Sequence, residues 1–176
     1  METPFTNSIV IPEDLPVIES AIFSPIDRRY LKILYTHILI RAVLFSSILL
    51  VLPIILVNDI PGFVYGIILA MIVAITVYSL IITKLSFPKR GYLIRERDIA
   101  YQRGLIKYRL TTIPFNRVQH VELIQTILAK RVGLAQIKIF TAGSNTDDLV
   151  IPGLPLEIAS NIREFLTEKI SRDAND

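Results

Sequence analysis

Two long apolar runs dominate the pattern of hydrophobic and polar positions. Residues 42–57 hold no charge over sixteen positions, and residues 61–82 hold none over twenty-two. A helix needs about 20 apolar residues to cross a bilayer. The second run meets that length alone, and the first meets it with His37–Arg41 if Arg41 extends back to the headgroups. The pattern predicts a transmembrane hairpin at about 37–57 and 61–82; two core helices of a soluble protein are the alternative, which fits shorter runs better.

The break between the runs predicts a tight turn and an orientation. Asn58, Asp59, Pro61 and Gly62 are turn-forming residues, and the break has no Lys or Arg. Basic residues lie on both outer sides of the hairpin, and positive residues favour the cytoplasmic side. We therefore expect an integral, multi-pass protein of the inner (cell) membrane with both termini in the cytoplasm. These basic residues are Arg28, Arg29, Lys32 and Arg41 before the hairpin and Lys84, Lys89, Arg90, Arg95 and Arg97 after it.

Small residues recur every fourth position in the second helix, at Gly66, Ala70 and Ala74. Such a stripe lets another helix approach closely. We expect it to pack against the first helix, and a second copy of the chain is the alternative partner.

The segment before the hairpin divides into a tail and a helical lead-in. Residues 1–23 contain scattered acids and prolines, which indicates an extended cytoplasmic tail. Ser24-Pro25 is typical of a helix start, with Asp27 in the first turn. Apolar residues then recur at helical spacing, so we expect an amphipathic lead-in that belongs with the hairpin, in a unit covering residues 24–83. Those apolar residues are Ile26, Tyr30, Ile33, Leu34 and Ile38.

After Thr83 the apolar period shortens, which predicts a small antiparallel β domain over residues 88–172. One helical turn is expected over Gln125–Arg131, and a one-sided helix is expected to open at Pro155 and to lie across the sheets. Its apolar stripe comprises Ile158, Ile162, Phe165, Leu166 and Ile170. The predicted class is an α+β membrane protein, with a β-sandwich or open barrel after the hairpin. The predicted strands are Tyr92–Arg95, Asp98–Arg103, Tyr108–Phe115, Val118–Gln125, Ala135–Phe140 and Leu149–Ile151.

Positive charge is concentrated just after the second helix. Residues 83–117 carry nine bases and two acids, whereas residues 1–24 carry four acids and no base. Anionic lipid attracts each nearby Lys or Arg by about 1 kcal/mol. The candidate lipid contacts are Lys84, Lys89, Arg90, Arg95 and Arg97. The alternative is that these charges set the topology and keep strand faces in water.

The sequence offers little for catalysis. It has no cysteine, and neither His37 nor His120 has a suitably spaced third group. Phosphate-loop, nucleophile-elbow and zinc signatures are absent, and so are aromatic stacking motifs for nucleic acid. We therefore expect no enzyme, with no catalytic residue, metal site, cofactor or nucleic-acid partner.

A longer string of residues carries a family resemblance. Tyr101–Ile106, Thr111–Val121, Leu128–Ala135 and Phe140–Gly143 together resemble the bacterial pleckstrin-homology-like, membrane-flanked proteins of the YdbS-like type. The resemblance covers about residues 25–170. It implies two near-orthogonal antiparallel sheets capped by a C-terminal helix, and it brings no catalytic residues. The motif residues, which we expect to be structural, are Gly104, Pro114, Arg117, Gln119, Gly133, Thr141 and Gly143.

Two functions fit this combination. One is a membrane-anchored, non-catalytic interaction or assembly module whose protein partner is another copy or a related membrane protein. The other is a module that senses a phospholipid or small ligand at the inner membrane surface. Membrane lipids are partners in both, and fold alone does not choose between them.

Overall fold

The computed structural model describes residues 21–56, 61–142 and 148–173. Within them the chain forms a helical hairpin and a small α+β domain. Two short 3₁₀ turns, Phe87–Lys89 and Phe115–Arg117, link elements of the domain. In chain order the elements are β1 (Ser24–Pro25), α1 (Arg29–Leu56), α2 (Gly62–Ser86), β2 (Gly91–Ile94), β3 (Asp98–Arg103), β4 (Arg109–Pro114), β5 (Val118–Ile124), α3 (Ile127–Arg131), β6 (Leu134–Thr141), β7 (Leu149–Pro155) and α4 (Leu156–Asp173).

The strands form two antiparallel sheets, in the orders β1-β2-β3-β4 and β5-β6-β7. Side chains alternate across each strand, so Ala135, Ile137 and Ile139 of β6 are buried in the core. Ile99 and Ile113 of the first sheet join the same core. The predicted α+β class is confirmed, and each of the six predicted strands is present, with ends that agree to within four residues.

Helix α4 lies against the second sheet but starts one residue later than expected. Pro155 is the last residue of β7, because it pairs with Leu134 of β6. Ala159, Ile162 and Leu166 are the buried residues of the helix, whereas Ile158 and Phe165 of the predicted stripe lie at its exposed edge. The Phe165 ring meets Phe115 edge to face at 5.8 Å. The helix is therefore one-sided as predicted, with its buried face rotated towards Ala159.

The helix start predicted at Ser24-Pro25 is wrong. These residues form β1 and pair with Tyr92 and Gly91, because the chain enters along the edge of the first sheet. Helix α1 begins at Arg29, and the Arg29 backbone N–H donates to Asp27 Oδ1 at 2.8 Å. Asp27 therefore caps the helix, as short polar side chains do when they satisfy a free N–H group.

The first turns of α1 belong to the β domain. Ile26 is buried in the main core, and Ile33 is buried against Ala129 and Leu134. Close approach is possible because Gly153 has a φ of 71°; a Cβ there would lie 2.6 Å from both Ile26 Cγ2 and Tyr30 Cγ. The domain therefore includes β1 and the start of α1, which the predicted boundary at residue 88 left with the hairpin.

Helices α1 and α2 pack against each other. Both are long and apolar enough to cross a membrane, and most of their large apolar side chains are exposed. Ile72, Thr76 and Ser79 of α2 are partly buried and line a groove with Ala42 and Phe45 of α1.

The expected packing of the small-residue stripe against α1 is wrong. Gly66, Ala70 and Ala74 are all exposed, because they lie on a different row of α2 from Ile72 and Thr76.

Candidate functional site

One face of the first sheet changes from buried and apolar to exposed and basic along its length. Alternation places Ile99, Tyr101 and Arg103 on one face of β3, since Ile99 and Tyr101 lie in the core. Their partners on β4 are Ile113, Thr111 and Arg109. The same face is therefore hydrophobic at the far end of the strands and positively charged where β3 ends and β4 begins.

A cleft of about 550 Å³ opens beside this face, between the edge strands β4 and β7. It is lined by polar groups along most of its length. The lining residues are Tyr101, Arg103, Arg109, Thr111, Thr112, Ile113, Pro114, Arg117, Thr141, Asp148, Leu149 and Val150.

Arg103 and Arg109 lie directly opposite each other on the paired strands. Like charges at this position repel and destabilise the pairing. Among the residues that the structure describes, no carboxylate lies within ion-pair distance of either arginine. Asp148, the carboxylate among the described lining residues, pairs with Lys138 at 3.2 Å.

Two hydroxyl groups of the cleft are buried, those of Tyr101, which is 3% exposed, and Thr141, which is 7% exposed. The Thr141 hydroxyl has no hydrogen-bond partner within the described parts of the chain, whereas the Tyr101 hydroxyl lies beside the Arg90 side chain. Burial raises the pKa of the Tyr101 hydroxyl, while the charges of Arg90 and Arg103 and a hydrogen bond with the Arg90 side chain act in the opposite direction. The Nε atom of Arg90 is also buried without a described partner.

The β3–β4 loop lies at the end of the domain that adjoins the hairpin. Helix α2 leads through Phe87–Lys89 into β2, and Gly91 at the start of β2 pairs with Gln102 near the end of β3. The loop that follows exposes Ile106 to 79% and Tyr108 to 49%. Gly104 permits this turn with a φ of 111°, where a Cβ would collide with the Lys107 backbone.

The five basic residues predicted to contact lipid do not form one surface. Lys84 and Lys89 are exposed at the hairpin end, whereas Arg90 is partly buried beside Tyr101. Arg95 and Arg97 lie beyond the far end of β2. This strand has four residues, so at about 3.3 Å per residue it separates them from the hairpin end of the domain by roughly 13 Å. Arg95 donates to both carboxylate oxygens of Asp98 there, at 2.7 and 2.6 Å.

The motif residues have different surroundings. Gly133 has a φ of 69° just after α3, and Pro114 ends β4 at the cleft. Gln119 is the extra residue of a β-bulge, since the pairing register shifts between Val118 and His120. Arg117 and Thr141 line the cleft, whereas the sequence predicted structural roles for them. Gly143 lies outside the described residues.

The two histidines lie apart from the cleft. His120 stacks on Phe140 at 4.0 Å and lies 3.8 Å from Glu122, while His37 lines a cavity of about 60 Å³ beside α3. No group of three His, Cys, Asp or Glu side chains in the described ranges is placed to hold a metal ion.

The alternation of polar residues in the sequence contains a signal for the basic end of the cleft. Tyr101, Arg103, Arg109 and Thr111 occupy alternate positions of two predicted strands, so they share one face once the register is known. The spacing alone does not give that register, because the loop length between the strands sets it.

Comparison with known proteins agrees with this architecture. The UPF0699 transmembrane protein YdbS of Bacillus subtilis (strain 168) is 32% identical to the chain over 96 residues. That match covers 54% of this chain and 58% of the relative, so the chain spans little more than half of that protein. No solved structure matches the chain. The family model described as Bacterial PH domain matches residues 35–170, most of the hairpin and the β domain together. The chain therefore belongs to the bacterial PH domain family.

Proposed function

We propose that the chain is a non-catalytic, membrane-anchored interaction module whose PH-like domain contacts the anionic cytoplasmic surface of the inner membrane. The observation that carries this proposal is the β3–β4 loop. It exposes Ile106 to 79% between basic residues, at the end of the domain that adjoins the hairpin.

An exposed isoleucine beside lysine and arginine suits a membrane interface better than water. Burial of a large aliphatic side chain contributes about 1.5–3 kcal/mol, and each basic residue near anionic lipid adds about 1 kcal/mol. Lys107 adjoins Ile106, and Lys84 and Lys89 lie at the same end of the domain. An apolar tip with a basic surround is the composition of segments that lie in the headgroup region.

Attachment at two places supports a fixed orientation of the domain. Helix α2 joins β2 through a three-residue turn, and α1 is held by Ile26 and Ile33 in the domain. The Arg29 side chain also donates to the Val132 carbonyl at 2.9 Å. A domain held by both helices presents the same end to the bilayer, so the loop contact needs little further ordering.

The proposal includes both termini in the cytoplasm. Basic residues lie both before and after the hairpin and none lies in its turn, so they all fall on one side of the membrane. The relative is named a transmembrane protein. Reporter fusions at residues 5 and 176 test the orientation, and both are expected to report the cytoplasm. A periplasmic signal from either fusion would contradict it.

The loop contact is tested in the full chain, which has no native cysteine. Ile106→Cys and Glu96→Cys are each labelled with an environment-sensitive fluorophore. Both positions are exposed, but Glu96 lies at the opposite end of the strands, so it is the matched control. In nanodiscs with phosphatidylglycerol, the label at position 106 is expected to emit at shorter wavelength and to be quenched by lipid-borne quenchers.

High salt is expected to weaken the signal at position 106, since the screening length falls from about 8–10 Å at physiological ionic strength to about 3 Å at 1 M. Uncharged lipid is expected to weaken it too, because it removes the anionic surface that attracts the basic residues. The label at position 96 is expected to behave as in water throughout. Equal, water-like emission at both positions would overturn the membrane contact and favour the alternative, an assembly module whose partner is another copy or a related membrane protein.

A further inference from the structure

We propose that residues 8–14 of this chain dock as an added strand on the open edge of β4, in the cleft between β4 and β7. These residues lie outside the described part of the chain. The proposed docking surface differs from the membrane contact proposed above, and it does not require that Ile106 touch lipid.

The open edge of β4 is the first observation that supports this docking. Strand β4 ends the first sheet and pairs with β3 on one side, and the described parts of the chain contain no strand paired with its other side. In an antiparallel pair, alternate residues direct their N–H and C=O groups away from the partner, so the outer edge of β4 carries unpaired backbone groups. An extended peptide satisfies such groups by adding one more strand to the sheet.

The cleft beside this edge has a wall of mixed character. It has a volume of about 550 Å³ and separates β4 from β7, which ends the second sheet. Ile113, Leu149 and Val150 form apolar parts of the wall, whereas Arg103 and Arg109 are exposed at one end. The wall therefore suits an extended segment with apolar side chains followed by acidic ones.

A buried hydroxyl in the same cleft lacks a partner. Thr141 is 7% exposed and lines the cleft, and its hydroxyl has no hydrogen-bond partner in the parts of the chain that the structure describes. Buried hydroxyls without partners are destabilising and are exceptions in folded proteins. A carbonyl group of an added strand would accept a hydrogen bond from this hydroxyl.

Residues 8–14 have the sequence SIVIPED, which matches the cleft. The β-branched residues Ile9–Ile11 favour a strand, and Pro12, which has no N–H group, ends the run. Two acidic residues follow directly, and residues 1–24 contain no base. The segment is therefore complementary in charge to the basic end of the cleft.

An antiparallel register places the apolar and the charged contacts together. With Ile9 opposite Ile113, Glu13 lies opposite Arg109, and both pairs fall on the same face of the sheet. Arg109 already faces Arg103 on β3, so an acidic residue at this position offsets the repulsion between two like charges. The segment thereby follows the change from apolar to basic along β4.

The chain is long enough to reach this edge from β1. Ser24 pairs with Tyr92, at the level of Thr111 on β4. Four strand spacings of about 4.8 Å separate β1 from a strand added beyond β4, so the distance is about 20 Å. The eleven steps from Glu13 to Ser24 span up to about 36 Å when extended, which leaves length to pass around the sheet. A tethered segment also has a high effective concentration, which favours it over a partner from solution.

Hydrogen–deuterium exchange tests the added strand without assuming a register. The full chain in detergent is compared with a form that lacks residues 2–14. Peptides that cover β4 are expected to take up deuterium about tenfold faster in the shortened form, because the outer backbone groups lose their partners. Peptides of β6, the central strand of the second sheet, are the internal control and are expected to exchange equally in both forms. Equal uptake over β4 in the two forms would overturn the proposal.

Charge variants test the contact between the acidic residues and the arginines. E13K/D14K is expected to raise deuterium uptake over β4 towards that of the shortened form, because two lysines would face Arg103 and Arg109. E2K/E19K makes the same charge change elsewhere in the first 20 residues and is expected to keep most of the protection. An equal rise in the two variants would contradict the charged contact.

Disulfide crosslinking separates docking within one chain from docking between copies. The chain has no native cysteine, and Val10→Cys lies opposite Thr112→Cys in the proposed register, at an exposed position of β4. This pair is expected to give a monomeric crosslinked product several-fold faster than Val10→Cys with Glu122→Cys, an exposed position on the second sheet outside the cleft. Equal rates for the two pairs, or a link that forms only between copies, would overturn docking within the chain.

Discussion

Helix α1 passes through two different environments, and its two halves differ accordingly. Near its start, Ile33 is 5% exposed and packs against Ala129 and Leu134 of the β domain. Farther along, Leu44 is 57% exposed within an apolar stretch beside α2. Similar side chains therefore have opposite exposures in one continuous helix.

The comparison shows that apolar residues in this helix have two uses. The first half is one-sided, because water and the sheets surround it on different sides, and burial against the sheets stabilises the domain. The second half is apolar nearly all round, as expected for a helix long enough to cross a bilayer. The helix consequently connects the domain to the hairpin as a continuous rod rather than through a flexible linker.

The largest effect is expected from removing the first half of α1 altogether. The fragment 88–172 lacks Ile26 and Ile33, both of which are buried in the domain. Without them it is expected to lack a cooperative thermal transition in circular dichroism. A matched fragment with residues 21–38 joined by a flexible linker to residues 84–173 is expected to unfold cooperatively. Equal midpoints for the two fragments would contradict the integration of α1 into the domain.

Gly153→Ala tests the close contact between β7 and the start of α1. The added Cβ would lie 2.6 Å from Tyr30 Cγ and would impose a φ of 71° on a residue with a side chain. We expect a loss of about 4 kcal/mol in the free energy of unfolding, from backbone strain and overpacking together.

Gly133→Ala is the control for Gly153→Ala, because it has a similar φ of 69° but no contact closer than 3.6 Å. We expect it to lower the free energy of unfolding by about 1 kcal/mol, from backbone strain alone. Equal losses for the two variants would mean that Gly153 matters only for its backbone conformation. Urea titration of the full chain in detergent measures both.

Ile33→Ala and Leu44→Ala compare the two halves of α1 directly. The first removes a buried side chain from the domain and is expected to cost about 3 kcal/mol. The second truncates an exposed side chain and is expected to change domain stability by less than about 0.5 kcal/mol. Both are measured by urea unfolding followed through tyrosine fluorescence of the domain. A similar loss in both variants would remove the distinction between the halves.

The exposed stripe of α2 extends the comparison to the outer side of the hairpin. Gly66→Leu is expected to leave disulfide crosslinking between Ala42→Cys and Ser79→Cys unchanged, because those positions line the α1–α2 groove. Contact with a second copy stays a prediction, under which Gly66→Leu would reduce crosslinking between copies that carry Ala74→Cys. Absence of any crosslink between copies in the parent would mean that the stripe faces lipid.

The smallest effect concerns the cap at the start of α1. Hydrogen bonds from Arg29 lower the pKa of Asp27. The lowered pKa adds stability that is fully present above the unfolded value of about 3.9 and is lost as the pH falls through the lower folded value. Asp27→Asn is expected to flatten the decrease in stability below about pH 4.

Asp27→Ala also removes the hydrogen bond to the Arg29 N–H and is expected to cost about 1 kcal/mol at pH 7. Unfolding midpoints measured from pH 7 to pH 3 distinguish the two variants. An unaltered pH profile for Asp27→Asn would mean that Asp27 titrates normally in the folded chain.

The sequence by itself determined most of the elements and their order, with β1 as the exception. The two apolar runs predicted both helices of the hairpin, and alternation in Ala135–Ile139 predicted the buried face of β6. The turn at Gln125–Arg131 was also predicted, and it appears as α3 with Thr126 as its N-cap. These features follow from local periodicity and capping, which depend on residues close together in the chain.

Tertiary structure decided which surface covers each apolar face. The period of Ile26, Ile33 and Ile38 predicted an amphipathic helix but could not say whether a membrane interface or a sheet would cover it. The sheet does so for Ile26 because Gly153 lets β7 come close, a contact across more than 120 residues of chain.

Tertiary structure also decided which charges lie together. Arg95 and Arg97 are nearer to the hairpin in sequence than Arg103 and Arg109, yet β2 carries them away and β3 returns the second pair to the hairpin end. A strand advances about 3.3 Å per residue, so an antiparallel hairpin can invert the order of distances along the chain. The basic end of the cleft is therefore a product of strand register, which only the folded sheets establish.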